Sequence, residues 1–171
     1  MAEMAPHTAR LRLANTNVFF QGERHTARFL SRYSLLHRAR SGLYRIEYHV
    51  ADRDGGGKQL LVNERPVRGV EDAAGLLIGA EQSASGMLLR FAPFERTAET
   101  RVLLDGLADC YFEYYRGAGL AGPGEWVAEW VHRANELPRA MAIRLEPRPG
   151  GRALRPVPIV AGIENYYSSL R

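Results

Sequence analysis

Val102-Leu103-Leu104-Asp105-Gly106-Leu107-Ala108-Asp109-Cys110-Tyr111-Phe112-Glu113-Tyr114-Tyr115 is the stretch whose pattern decides the fold. Ala108, Cys110, Phe112 and Tyr114 alternate with Asp109, Tyr111, Glu113 and Tyr115, the period of two that a half-buried strand requires. Outward from there, a loop leads to Glu125-Trp126-Val127-Ala128-Glu129-Trp130 and then to Leu137-Pro138-Arg139-Ala140. Met141, Ile143 and Leu145 share one face of a second strand, with Ala140, Ala142, Arg144 and Glu146 on the other. Pro138 has no N–H for a ladder and belongs just before that strand. Both tryptophans lie between the two strands, where their rings are expected to close over the sheet edge as structural side chains.

Upstream, Arg10-Leu11-Arg12-Leu13 reads as the end of a helix or a first short strand, and Ala27, Phe29 and Ser31 alternate in a further strand. Leu43 to Val50 sets Tyr44, Ile46, Tyr48 and Val50 on one face and Arg45, Glu47 and His49 on a polar, solvated one. Asp52-Arg53-Asp54-Gly55-Gly56-Gly57 is a turn, so residues 43 to 65 form a hairpin. A calcium loop beginning at Asp52 would place Asn63 where a bidentate Glu is needed, which favours the hairpin tip. Residues 72 to 82, with Leu76, Leu77 and Ile78 among small residues, suit one short helix weakened by Gly75 and Gly79. Met87 to Phe91 is a strand, and residues 155 to 160 form an edge strand because Pro156 and Pro158 interrupt it. No repeat or linker divides the chain, which reads as a single domain over residues 1 to 171.

Hydrophobic residues make up 46% and charged residues 25%, enough for a core and too apolar for wholesale disorder. The formal charge is +4, and Lys58 is the sole lysine among 23 basic residues. Scattered solvated arginines account for that balance. One cysteine, Cys110, excludes an internal disulfide framework and is expected to be buried and inert. No run approaches the roughly 20 apolar residues that span a bilayer.

The usual catalytic signatures are missing. His7, His25, His37, His49 and His132 show no metal-ligand spacing, and there is neither a Gly-x-Ser-x-Gly elbow nor a phosphate-binding loop. Glu113, Glu125 and Glu129 form an acid/base set only if they converge, and an exposed acidic edge is the simpler reading. Tyr44, Tyr48, Tyr111 and Tyr115 among arginines have the composition of a base-stacking sheet, but strand alternation explains them equally well as packing residues.

Taken in order, Leu103, Leu104, Gly106 and Leu107, then Phe112 and Tyr114, then Trp126 and Trp130, then Leu137, Pro138, Arg139 and Ala140 resemble the J-type minor pseudopilins of bacterial type II secretion systems and the related minor pilins of type IV pili. The family has a leucine-rich turn before an aromatic strand, a Trp-x-x-x-Trp segment, and a Leu-Pro-Arg-Ala step into a final strand. The resemblance covers about a quarter of the chain and extends more loosely over residues 17 to 65.

It implies an α+β fold, mostly antiparallel β-sheet in two packed layers, buttressed by an N-terminal anchoring helix. Because this chain shows neither the family's basic leader nor its long apolar helix, it reads as a soluble fragment from which that helix has been removed. The implied role is structural: the tip of a secretion pseudopilus that assists protein export across the outer membrane, in a periplasmic domain anchored to the inner membrane. Its partners would be I-type and K-type minor pseudopilins, with no catalysis, cofactor or metal. A type IV pilus minor pilin is the alternative within the resemblance. A polyanion-binding β module is the alternative of another class, and nucleic acid is the less expected partner.

Overall fold

The computed structural model describes residues 2–4, 20–34, 36, 42–69, 72, 75–83, 86–118, 123–131, 137–148 and 159–162. The strands are β1 (Ala2–Met4), β2 (Phe20–Gly22), β3 (Thr26–Ser31), β4 (Leu43–Asp52), β5 (Lys58–Val67), β6 (Leu77–Ser83), β7 (Gly86–Phe91), β8 (Arg101–Arg116), β9 (Glu125–Val127), β10 (Ala140–Pro147) and β11 (Ile159–Gly162). No helical element occurs among the described residues.

The α+β expectation is therefore overturned: the described chain is an all-β protein built on a curled, antiparallel half-barrel sheet. The helix expected over residues 72 to 82 is also wrong, because Leu77–Ser83 pairs with both β1 and β7 as a strand. A short apolar run has no helix-specific period, so ladder partners decide its conformation. The readings of residues 5 to 16, of His7, His37 and His132, and of Pro156 and Pro158 fall outside the described residues.

The main sheet runs β11-β10-β8-β5-β4-β3-β2, with β9 also paired to β8. The 43–65 hairpin forms as read, with Asp52 opposite Lys58 at the tip, where the ammonium donates to the Asp52 carboxylate at 2.7 Å. One edge of β8 meets three partners in turn. Its first residues pair with β5, the Phe112 N–H donates to the Arg24 carbonyl at 2.8 Å, and Tyr114 to Arg116 pair with β9. Its other edge pairs with β10 from Leu107 to Tyr115. Three successive partners explain why β8 needs all its 16 residues.

The curl closes at a two-bond antiparallel bridge. Gly22 N–H donates to the Trp130 carbonyl at 3.0 Å, and Trp130 N–H returns to the Gly22 carbonyl at 2.7 Å. Aromatic contacts repeat this circuit on the inside. Phe112 of β8 meets Tyr48, Tyr48 meets Phe29, Phe29 stacks on Phe20, and Phe20 meets Tyr114 of β8 edge-on, with centroids 5.5 to 6.3 Å apart. Such pairs contribute about 0.5–1.5 kcal/mol each beyond the area they bury. Ile46, Val50, Leu60, Val62, Leu107, Cys110 and Met141 complete the core.

The smaller sheet, β1-β6-β7, meets the outer face of the large one. Gln21 donates to the Leu89 carbonyl at 3.0 Å, and the Arg28 guanidinium lies over the Phe91 ring at 5.1 Å. Beneath it Arg28 Nε donates to Glu47 at 2.7 Å, with both residues buried. The polar face of β4 is thus covered rather than solvated. His49 stacks on Phe94 at 4.6 Å and lies 3.1 Å from the Thr26 hydroxyl. Phe94 belongs to an irregular strap between β7 and β8, which also binds Asn63 through the Glu95 carbonyl at 3.1 Å and the Thr100 hydroxyl at 2.6 Å.

Candidate interaction surface

Strand β8 turns its residues to two walls, and its alternation breaks twice, at Gly106 and again at Ala108. This glycine has φ of +72°, a left-handed conformation that side chains resist, and its N–H is held by the Asp105 carboxylate at 2.7 Å. The leucine-rich segment is consequently a kink inside one strand, not a turn before it. The β8–β10 register also shifts nearby, between Glu146 and Pro147. Past the kink, Leu107, Cys110, Phe112 and Tyr114 are buried, as the alternation of the last three requires, whereas Ala108 is exposed.

On the inner wall Tyr114 fills the gap left by Gly22, where an added Cβ would sit 2.2 Å from the ring. Its hydroxyl donates to the Glu23 carbonyl at 2.9 Å. Burial, with Glu23 and Glu129 adding, raises its pKa. Burial also pushes the Cys110 thiol up to about 11, with the Asp109 charge adding to it. A thiol so placed carries little thiolate at neutral pH and is a poor nucleophile.

The outer wall is different in kind. Tyr111 lies under the Arg24 guanidinium at 3.9 Å, Glu113 accepts from Arg144 Nε at 2.6 Å, and Tyr115 meets Trp126, its register partner on β9, at 5.3 Å. Arg144 also stands over the Trp126 ring at 5.6 Å, and Arg116 pairs with Glu125. The carboxylates of Glu113 and Glu125 are therefore committed to separate arginines and do not form an acid/base set. Beside this stripe β11 is the edge strand, with Val160 53% exposed.

The residues singled out in the sequence thus divide. Phe112, Tyr114, Trp130 and Pro138 are buried, and Leu104 and Leu137 pack partly against the core. Leu103, Trp126 and Arg139 are exposed, and Arg139 begins the step into β10 by donating its N–H to the Tyr115 carbonyl at 2.9 Å. The expectation that both tryptophans cover core holds for Trp130 alone. Tyr115 and Arg144 gain their importance only from pairing: β9 places Trp126 opposite Tyr115, and β10 brings Arg144 beside Trp126. Alternation of β8 could have flagged Tyr115 as outward, but nothing local announces its partners.

Among the described residues no group of three His, Cys, Asp or Glu side chains is placed to hold a metal, and no helix is long and apolar enough to cross a membrane. Comparison with known proteins gives no match, whether to a family model, a curated protein or a solved structure.

Proposed function

We propose that this protein works by association, as a J-type minor pseudopilin at the tip of a type II secretion pseudopilus, binding I-type and K-type partners in the periplasm. The observation that carries the reading is the two-sided construction of β8. Motif residues Phe112, Tyr114 and Trp130 stiffen the inside of the half-barrel, while Trp126 and Tyr115 are left on its outside, braced by Arg144. Aromatic rings and arginines held on a rigid face are the side chains that most often dominate protein interfaces. Mechanism here is shape and charge complementarity. The type IV pilus minor pilin stays the alternative within the same resemblance.

The test mixes the protein with the I-type and K-type ectodomains of the same organism and follows sedimentation. A heteromeric species is expected, weakened at least tenfold by Trp126→Ala, about 1.4 kcal/mol. Absence of any complex at high concentration, with salt-sensitive binding to single-stranded DNA instead, would replace this reading by the polyanion-binding one.

A further inference from the structure

The strap between β7 and β8 crosses the outer face of the main sheet and hides an apolar residue there. Along that face of β5, Gln59 and Asn63 are half-buried and Arg65 is exposed. Leu61 stands among them, yet it is 2% exposed and lies outside the inner core cluster. Its ladder partners are His49 of β4 on one side and Val102 of β8 on the other. The strap sets Phe94 on the His49 ring at 4.6 Å and, one residue later, the Glu95 carbonyl on Asn63 at 3.1 Å. It therefore passes over Leu61. Beside it, Val102 and Leu103 are already 43% and 38% exposed, and the register shift at Leu61 bulges Leu103 out of the β5 ladder.

Few contacts hold the strap down. Besides the Phe94 stack and the Glu95 bond, the Thr100 hydroxyl donates to Asn63 at 2.6 Å and the Ala92 N–H to the Leu76 carbonyl at 2.8 Å. Arg65 reaches Glu99 only at 3.9 Å, between exposed side chains, which contributes little. None of residues 92–100 joins a ladder. A segment so lightly attached opens at a small cost in free energy.

We infer that the strap is an acid-released cover: protonation of His49 lets it lift, and Leu61 and Phe94 then join Val102 and Leu103 in one apolar patch. Burial under the strap is the main cause that keeps the His49 pKa below 6.5. Glu47 on β4 and Glu23 oppose it, while Arg28 on β3 and His25 act with it. Arg28 and Glu47 are paired with each other at 2.7 Å, so their effects largely offset. From β5 this face offers only the uncharged Gln59, Leu61 and Asn63, and on the strap Glu95 and Arg96 are exposed and of opposite sign. Lifting the strap returns water to the imidazole, so the lifted state takes up the proton more readily. The closed state is favoured fully above about 6.5 and loses ground as pH falls, by at most about tenfold per pH unit for one proton. This inference does not depend on the partners proposed above. It concerns when a second apolar surface becomes available.

Nile red, an uncharged dye that brightens in apolar surroundings, reads the patch on the whole chain. Its fluorescence should rise between pH 7.5 and 5.5 while the near-ultraviolet circular dichroism stays constant. His49→Phe keeps a ring against Phe94 but cannot take a proton, and it should stay dark at both pH values. Phe94→Ala removes the stack and should bind the dye at pH 7.5, with little further rise at 5.5. A wild type that stays dark at pH 5.5 would overturn the inference, the Phe94 ring then holding the imidazolium as a cation–π partner. So would an equal rise in His49→Phe, or a rise that tracks loss of the near-ultraviolet signal and therefore reports global unfolding. Should His49→Phe fail to fold, Phe94→Ala decides the matter, since a dark variant at pH 7.5 means that the strap is held without the stack. No partner is present in this assay, so the fate of the I-type and K-type complex bears on the proposed function alone.

Discussion

Trp126 and Trp130 lie four residues apart in the sequence and end on opposite walls of the same half-barrel. Trp130 is 4% exposed, its backbone is bridged to Gly22, and its ring belongs to the core cluster. Trp126 is 38% exposed and rests on Tyr115 under the Arg144 guanidinium. Residues four apart share a face in an unbroken strand. Strand β9 ends at Val127, however, and the chain bends before Trp130 reaches the bridge. The contrast teaches that one short motif can supply both a closure and a contact surface, provided the strand carrying it breaks in between.

The largest effect expected from this contrast is on stability. Trp130→Ala should cost roughly 3–5 kcal/mol, the usual range for deleting a large buried aromatic. Trp126→Ala should cost less, about 1–2 kcal/mol, since its ring is 38% exposed and loses only the Tyr115 and Arg144 contacts on the outer wall. Urea unfolding of the two variants measures the difference directly. Equal destabilisation would mean that both rings serve the core and would remove Trp126 from the proposed interface.

A smaller effect sharpens the same division at glycine positions. Gly22→Ala forces a Cβ to within 2.2–2.5 Å of the Tyr114 ring and hydroxyl, so the ring that helps to close the half-barrel must shift. Overpacking of this kind costs typically about 1–3 kcal/mol. Gly69→Ala meets nothing within 4 Å and should stay within about 0.5 kcal/mol of wild type. Thermal unfolding of both variants, with tyrosine fluorescence as a local probe, checks the pair. A neutral Gly22→Ala would show that Tyr114 does not hold the bridge in register.

How far the sequence reveals these two walls depends on whether the signal is local. The alternation of Cys110, Phe112 and Tyr114 is a local pattern, and it predicts the inner face correctly. The 43–65 hairpin is legible for the same reason, since a glycine-rich turn separates two strands that pair through ten register partners. The buried Arg28–Glu47 pair is not legible, because the polar face of β4 reads as solvated until the smaller sheet covers it. The α+β expectation comes from the resemblance, while most of the described residues carry strand patterns. Residues 77 to 83 illustrate the remaining ambiguity: a leucine-rich run among small residues becomes strand or helix according to partners far away in sequence. Within the candidate surface, Trp126 was visible as a residue type, but its exposure depends on where β9 stops.

The smallest expected effect concerns pH, and it too should separate the inner wall from the outer. Inside, Tyr48 is raised to about 12 and the Cys110 thiol to about 11, chiefly by burial, so both stay protonated between pH 5 and 8. Outside, His49 sits between β4 and the strap, stacked on Phe94. Burial is the main cause lowering its pKa from 6.5; the charges of Arg28 and His25 also lower it, while Glu47 and Glu23 oppose them. In the unfolded chain that depression disappears, so the unfolded state takes up the proton first as pH falls. Stability from this group is therefore complete above the unfolded value of about 6.5 and is lost as pH falls through it toward the lower folded value. Unfolding midpoints measured between pH 7.5 and 5.5 should fall for the wild type and fall less for His49→Gln. Hydrogen exchange should locate the loss in residues 92–100, which His49 helps to hold, before it reaches β8. An identical pH slope in the variant would assign the titration to another group.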